Sequence, residues 1–306
     1  MFEKEINIAT KHLFRLDFTA WVLRRRDRNM LDQWDGRNCS RVVTINKNLV
    51  LISLVQLDSK NLVLKVTSKK PLQNSNIDEV KKLVSKMFGL DIDLQRFYEV
   101  ARKDPILKHF AMQFIGMRPT RYPTVFEALT NAVVCQQVSL DAGLSILNRL
   151  IMKYGESITF KDKKRYCFPE AKVFIDAPDQ ELKAVGLSYQ KTKAIKQIAY
   201  KIENADFNPK AIEKYSNQDA LNTLLSLHGI GRWSAEYVLL RGLGRLEFFP
   251  GDDVGGQNNI QKIIGTKNRP NYDELKSITS TWHPYEGLVY LNLLLLNIYK
   301  KGLVKI

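Results

Sequence analysis

The segment Leu227-His228-Gly229-Ile230-Gly231-Arg232-Trp233-Ser234-Ala235, flanked on both sides by helical pattern, constrains this chain more than any other. Two glycines one residue apart let the backbone turn tightly and approach another surface with no Cβ in the way. Ile230 between them is apolar and plugs the contact between two helices. Ser234 and Ala235 open the second helix, whose first amides lack partners within the helix and point at the turn. An anion fits there, and a DNA phosphate suits it, held without any base being read. A Gly-x-Gly alone serves equally well in a structural turn between antiparallel helices. Glycines, plug, small residues and flanking helices in one order favour the phosphate site, formed by Gly229, Gly231, Arg232, Ser234 and Ala235.

The charge points the same way. Against 32 Asp+Glu the chain has 47 Lys+Arg, a net charge of +15. Such an excess favours a polyanionic partner through long-range attraction and counterion release, although basic proteins without such partners exist. Cys39, Cys135 and Cys167 are widely spaced and form no CxxC pair, so reduced thiols in an intracellular protein are expected. The start, Met1-Phe2-Glu3-Lys4-Glu5, leads into no apolar signal core. Residues 288–298 are the most apolar stretch, too short for a membrane span of about 20 residues, and read as a buried helix. His12, His109, His228 and His283 show no metal-ligand spacing.

At 306 residues, two or three compact units are expected. Residues 1–100 alternate in strand fashion at 41–45, 49–55 and 61–67, with polar turns between and a helix at 78–88. This predicts a small α+β domain with an antiparallel sheet. From Asp104 onward the pattern is helical almost throughout, at 126–135, 140–154, 181–185, 191–203, 218–227, 234–242, 273–281 and 285–299. The expected architecture is α+β: a sheet domain at 1–100, then a helical body at 101–306 in two lobes. One lobe spans about 122–244, with the hairpin at 218–242; the other combines 101–121 with 245–306.

Beyond the hairpin, Phe248-Phe-Pro-Gly-Asp252-Asp253 delivers two carboxylates on a Pro-Gly loop. Adjacent acids in a loop usually make a turn or a helix cap. In combination with the hairpin, the sequence resembles the helix-hairpin-helix–GPD superfamily of base-excision glycosylases, its AlkA type above all. The blocks that carry the resemblance run over about 100–290. They are Asp104-Pro105, Arg118-Pro119, Phe126-Glu-Ala-Leu129, Gln136-Gln-Val-Ser139, Val185-Gly-Leu-Ser-Tyr-Gln-Lys-Thr-Lys-Ala194, Gly229-Ile-Gly-Arg-Trp-Ser-Ala235, Pro250-Gly-Asp-Asp253 and Trp282-His-Pro284. No motif in 1–100 is diagnostic.

The resemblance implies that Asp253, twenty residues after Trp233, is the catalytic carboxylate, with Asp252 shaping the loop. Several family members carry a lysine at the place of Trp233 and use it for Schiff-base chemistry. Tryptophan there implies monofunctional hydrolysis, unless Lys193 or another lysine reaches the site. The missing four-cysteine pattern argues against the iron–sulfur branches. A target base must be flipped out of the duplex. By family position Gln137 is the wedge that fills the gap, and Trp233 and Tyr237 line the base pocket with Gln136; in place of an aromatic from the last helix, Phe18 or Trp21 of the N-terminal domain completes it. The Arg24-Arg-Arg26 and Lys191/Lys193/Lys196 clusters are candidate phosphate contacts, and Trp282 an anchor for the last helix. The implied activity is release of alkylated purines of the 3-methyladenine kind from double-stranded DNA carrying a damaged base, without cofactor or metal, by an intracellular monomer in cytoplasm, nucleoid or nucleus. A glycosylase for another lesion such as 8-oxoguanine, and a non-catalytic DNA clamp, stand as alternatives.

Overall fold

The computed structural model describes residues 1–306. Strands β1 (Phe2–Ala9), β2 (Gln33–Trp34), β3 (Asn38–Ile45), β4 (Asn48–Gln56) and β5 (Asn61–Ser68) form an antiparallel sheet in the order β1-β5-β4-β3-β2. Alternation decides its faces. Val43 and Ile45, Val50, Ile52 and Leu54, and Leu62, Leu64 and Val66 share one buried face with α1 (Leu16–Arg24) and α2 (Asn74–Phe88). Val42 and Leu51 point the other way. The β1 edge strand was not read from the sequence, because its alternating residues are mostly exposed and charged.

After α3 (Gln95–Lys103) and two short 3₁₀ turns come α4 (Val125–Cys135) and α5 (Leu140–Tyr154). A hairpin of β6 (Ser157–Phe160) and β7 (Lys163–Tyr166) then fills a stretch to which the sequence reading assigns no element, within a body read as helical almost throughout. Its Ile158, with the adjoining Cys167, packs against Val42 and Leu51, closing the second face of the sheet. The remaining helices are α6 (Ala171–Asp176), α7 (Asp179–Ala184), α8 (Tyr189–Glu203), α9 (Asn217–Leu225), α10 (Arg232–Arg241), α11 (Val254–Ile264), α12 (Tyr272–Ser280) and α13 (Glu286–Lys300). A sheet domain followed by a helical body is the α+β architecture the sequence predicts.

The helical body has two cores. One gathers Leu129 and Val133 of α4, Leu147 of α5, Ile195 of α8, Leu224 of α9 and Val238 of α10. The other centres on α13 and gathers Phe97, Phe249, Trp282 and Leu291, together with Phe18, Trp21 and Val22 from α1. The Trp282 indole N–H donates to Asp104 Oδ2 at 2.9 Å, so Trp282 does anchor the approach to the last helix. No helix is long and apolar enough to cross a membrane.

A buried ion triad joins sheet to helices. The Arg41 guanidinium on β3 donates through Nη1 to Asp32 at 2.8 Å and through Nη2 to Glu127 of α4 at 2.5 Å. Burial pushes the Glu127 carboxyl up to about 7 despite the opposing pull of Arg41.

Candidate active site

Helices α9 and α10 form the hairpin, and its local chemistry explains its shape. Leu227 and Ile230 are buried in the α4–α10 core and fix both arms of the turn. Gly229 sits at φ +79°, and a Cβ there would lie 2.6 Å from the Cβ of Ala194 on α8. Gly231 is the N-cap of α10, and no side chain caps the helix. The first amide bond is Ala235 N–H to Gly231 O at 2.9 Å, so the amides of Arg232, Trp233 and Ser234 ahead of it have no partner in the helix, and those of Arg232 and Trp233 lie on residues that reach the surface. Ala235 itself is wholly buried and supplies packing, not a donor. Gly229→Ala, strained and crowded at once, is expected to weaken binding to undamaged duplex DNA about tenfold. Fluorescence anisotropy checks this, and unchanged affinity would remove the turn from the binding surface.

Five residues expected at the phosphate or the pocket are engaged elsewhere. Arg232 forms a two-pronged pair with Asp252, Nε to Oδ2 at 2.8 Å and Nη2 to Oδ1 at 3.1 Å, and stacks on Tyr272 at 3.5 Å. The Ser234 side chain is buried, its hydroxyl accepting from Gln136 Nε2 at 2.9 Å. Gln136 also donates to Gly229 O at 2.8 Å, so it ties the hairpin to the end of α4 instead of lining a base pocket. Phe18 is fully buried, edge-on to Phe114 and covered by Arg15, because α1 turns it into the α13 core. Trp21 is buried in that same core.

The basic clusters fare similarly. Arg24 caps backbone carbonyls of Arg26, Asp27 and Trp34, and Arg26 reaches Asp141. Lys191 Nζ donates to Val134 O at 2.9 Å and Gln136 O at 2.8 Å, closing the end of α4, and Lys196 pairs with Asp179. Of these, Lys193 alone is exposed. Gln137 is exposed at φ +53°, in the tight turn between α4 and α5, a place from which a side chain projects.

Asp253 is the N-cap of α11. Its Oδ2 accepts from Gly256 N–H at 2.7 Å, and its Oδ1 accepts from the Trp233 indole N–H at 3.3 Å. Gly255 and Gly256 leave room for the carboxylate to lie against the helix start. Burial pushes the Asp253 carboxyl above its ordinary value, while the Gly256 amide, the Trp233 indole, the Tyr290 hydroxyl and the Arg25 charge pull the other way. The anion is thus held by dipoles but short of solvent. Trp233, partly buried, stacks on Tyr237 with ring centroids 5.5 Å apart and planes 24° apart. Tyr237 is buried behind it, bonded to Arg25 Nη1 at 2.9 Å and to the Tyr122 hydroxyl at 2.9 Å. It therefore backs the indole and does not form the surface of a pocket.

One residue escaped the sequence reading, and another was read there for a different role, as a phosphate contact. Tyr290 of α13 faces Asp253 and packs edge-on to Phe249 at 5.1 Å. Its helix is so apolar that a single tyrosine reads as core. Arg25, a buried cation under Tyr237 with its Nε unpartnered, is hidden in a run of three arginines.

Free amides at a helical hairpin, one indole away from a half-buried carboxylate, define a protein that grips a polyanion and holds an acid group against it. Residues 130–284 match the HhH-GPD superfamily base excision DNA repair protein family, and residues 21–129 match the 8-oxoguanine DNA glycosylase N-terminal domain. A DNA-3-methyladenine glycosylase from Bacillus subtilis is 27% identical over 92% of this chain and 93% of its own. The fold is that of a 3-methyladenine DNA-glycosylase from Archaeoglobus fulgidus, with a TM-score of 0.85 at 21% identity over 98% of this chain and 100% of that one. A Clostridium acetobutylicum 8-oxoguanine glycosylase/lyase shares it at a TM-score of 0.75, 16% identity, and 96% and 97% coverage. The chain belongs to the HhH-GPD superfamily of base excision DNA repair proteins, and is a DNA glycosylase of that family.

Proposed function

We propose that the protein is a monofunctional glycosylase, hydrolysing the base–sugar bond of alkylated purines such as 3-methyladenine flipped from duplex DNA. The observation that carries this is the indole of Trp233 hydrogen-bonded to Asp253 at 3.3 Å. An aromatic donor, not an amine, stands beside the carboxylate, and the nearby Lys191 is committed to two backbone carbonyls. Covalent Schiff-base chemistry needs a free amine.

The arrangement suits a leaving group that already carries charge. An N-alkylated purine departs as a neutral base without strong protonation, so the demand is for negative charge beside the sugar as an oxocarbenium-like ion forms. Asp253 supplies that charge in a place where water is scarce, and the interaction is correspondingly stronger. It also serves to orient the attacking water. Trp233, stiffened by Tyr237 behind it, offers a flat surface to the flipped base; stacking contributes about 1–3 kcal/mol per base, and an electron-rich ring favours a cationic one. The name of the Bacillus relative, aligned along nearly the whole chain, supports the same substrate.

One observation favours a second reading. Residues 21–129 match the N-terminal domain of 8-oxoguanine DNA glycosylase, so a neutral oxidised purine is the alternative substrate. A panel of single-lesion duplexes separates the two. The expected result is release of free 3-methyladenine, with an abasic site left in an intact strand. Release of 8-oxoguanine in its place would select the alternative, and strand nicking by wild type would end the monofunctional reading.

A further inference from the structure

The loop that carries Asp253 is held at three successive residues by one helix. Glu236 of α10 accepts from the Gly251 amide at 2.8 Å, Arg232 pairs with Asp252, and Trp233 bonds Asp253. Arg232, Trp233 and Glu236 belong to the first turn and a half of α10, the helix whose free amides make the anion site. Glu236 is 3% exposed and takes two more donors on its other oxygen, the Tyr272 hydroxyl at 2.9 Å and Lys276 Nζ at 2.7 Å. The Gly251 carbonyl is held as well, by Gln257 Nε2 at 2.9 Å. Lys276 also donates to Phe249 O at 2.8 Å. A Cβ on Gly251 would meet the Tyr272 ring at 2.5 Å, so ring and peptide are in close contact.

Neither the carboxylate chemistry nor phosphate binding calls for a buried acid at 236. We propose that Glu236 is a positioning residue: it registers the 250–253 loop on α10, so that Asp253 keeps a fixed place relative to the hairpin. Seating a phosphate on the helix start then aligns the carboxylate in the same motion. The proposal rests on the reading of Asp253 as the stabilising anion. Its chemical specificity lies in the donor count. Gly251 N–H, Tyr272 O–H and Lys276 N–H all donate, and a carboxylate accepts from all three, whereas an amide must turn an NH₂ toward one side. Glu236→Gln therefore breaks the clasp with almost no change of volume.

The test uses the full chain. Glu236→Gln is expected to slow single-turnover base release about 10- to 100-fold, the scale of a small misplacement of a catalytic group. Affinity for a duplex with a tetrahydrofuran abasic analogue is expected to stay within about threefold, since the hairpin amides are untouched. The indole N–H resonance of Trp233 moves, while those of Trp21, Trp34 and Trp282 stay. If Glu236→Gln fails to fold, Tyr272→Phe takes its place; it removes one donor and leaves the Gly251 bond, and about a three- to tenfold loss with the same resonance shift is expected. Unchanged release, an unmoved Trp233 resonance, or binding that falls in step with rate would overturn the proposal. Asp253→Asn, run beside it, separates the two claims: wild-type release by that variant defeats the reading of Asp253, while the indole resonance still reports whether Glu236 sets the loop.

Discussion

Asp253→Asn is expected to bind a lesion-bearing duplex as wild type does and to lose base release by at least about a thousandfold. Asn keeps an oxygen for the Gly256 amide and caps a helix about as well as Asp, so the start of α11 stays formed. What goes is the charge, and with it the second acceptor oxygen, the one that the Trp233 indole N–H bonds. Stability moves the other way. Folding raises the Asp253 pKa, chiefly through burial, so between the ordinary carboxylate value and the raised one the folded state binds more protons than the unfolded state. Ionised Asp253 costs stability above that window, and the cost is relieved as pH falls through it. The Asn variant therefore melts no lower than wild type at neutral pH, and its advantage fades toward acid. Activity follows the anion and fails as pH drops through the raised pKa, with an acid limb above the usual carboxylate range. A melting temperature several degrees below wild type would show that Asp253 is there for the fold.

The second large effect concerns the joint between sheet and helices. Arg41→Ala strips the salt-bridging cation from two carboxylates, Asp32 and Glu127, whose side chains are 2% exposed. Breaking a buried pair by removing one partner destabilises by about 3–5 kcal/mol, because the remaining charge has neither water nor counterion. Chemical denaturation measures it. Adding Asp32→Asn and Glu127→Gln to an Arg41→Met chain removes all three charges and is expected to recover most of the loss. A cost below about 1 kcal/mol for Arg41→Ala would show that water reaches the triad.

The parts legible in the sequence are those whose chemistry is local. The 229–235 string states its own geometry, since the two glycines and Ile230 do the same work in the chain as in the fold. Asp253 is found through the family resemblance, which its distance along the chain from Trp233 fits, and the two residues do meet. Failures arise where a partner comes from far away. Arg232 looks like a phosphate ligand until Asp252 arrives twenty residues later. Gln136 is expected in the base pocket, but its amide bridges to Gly229, ninety-three residues on. Phe18 is an aromatic expected at the pocket, and its ring is taken by Phe114 and the α13 core. The β6–β7 hairpin is missed because its pattern is short and polar, and its one wholly buried strand residue, Ile158, is settled by a sheet more than a hundred residues earlier.

Helix α1 is buried nearly all round: Leu16, Ala20 and Leu23 belong to the core under the sheet, while Phe18, Trp21 and Val22 belong to the core around α13. Arg241, from the far end of the hairpin's second helix, donates to the Val22 and Leu23 carbonyls at its C-terminal end. A partition shared in this way belongs to both rooms. The sheet domain is therefore not a loosely tethered appendage, since removing it with α1 takes out one wall of the core around α13. Heating is expected to unfold sheet and helices together, as a single transition in calorimetry.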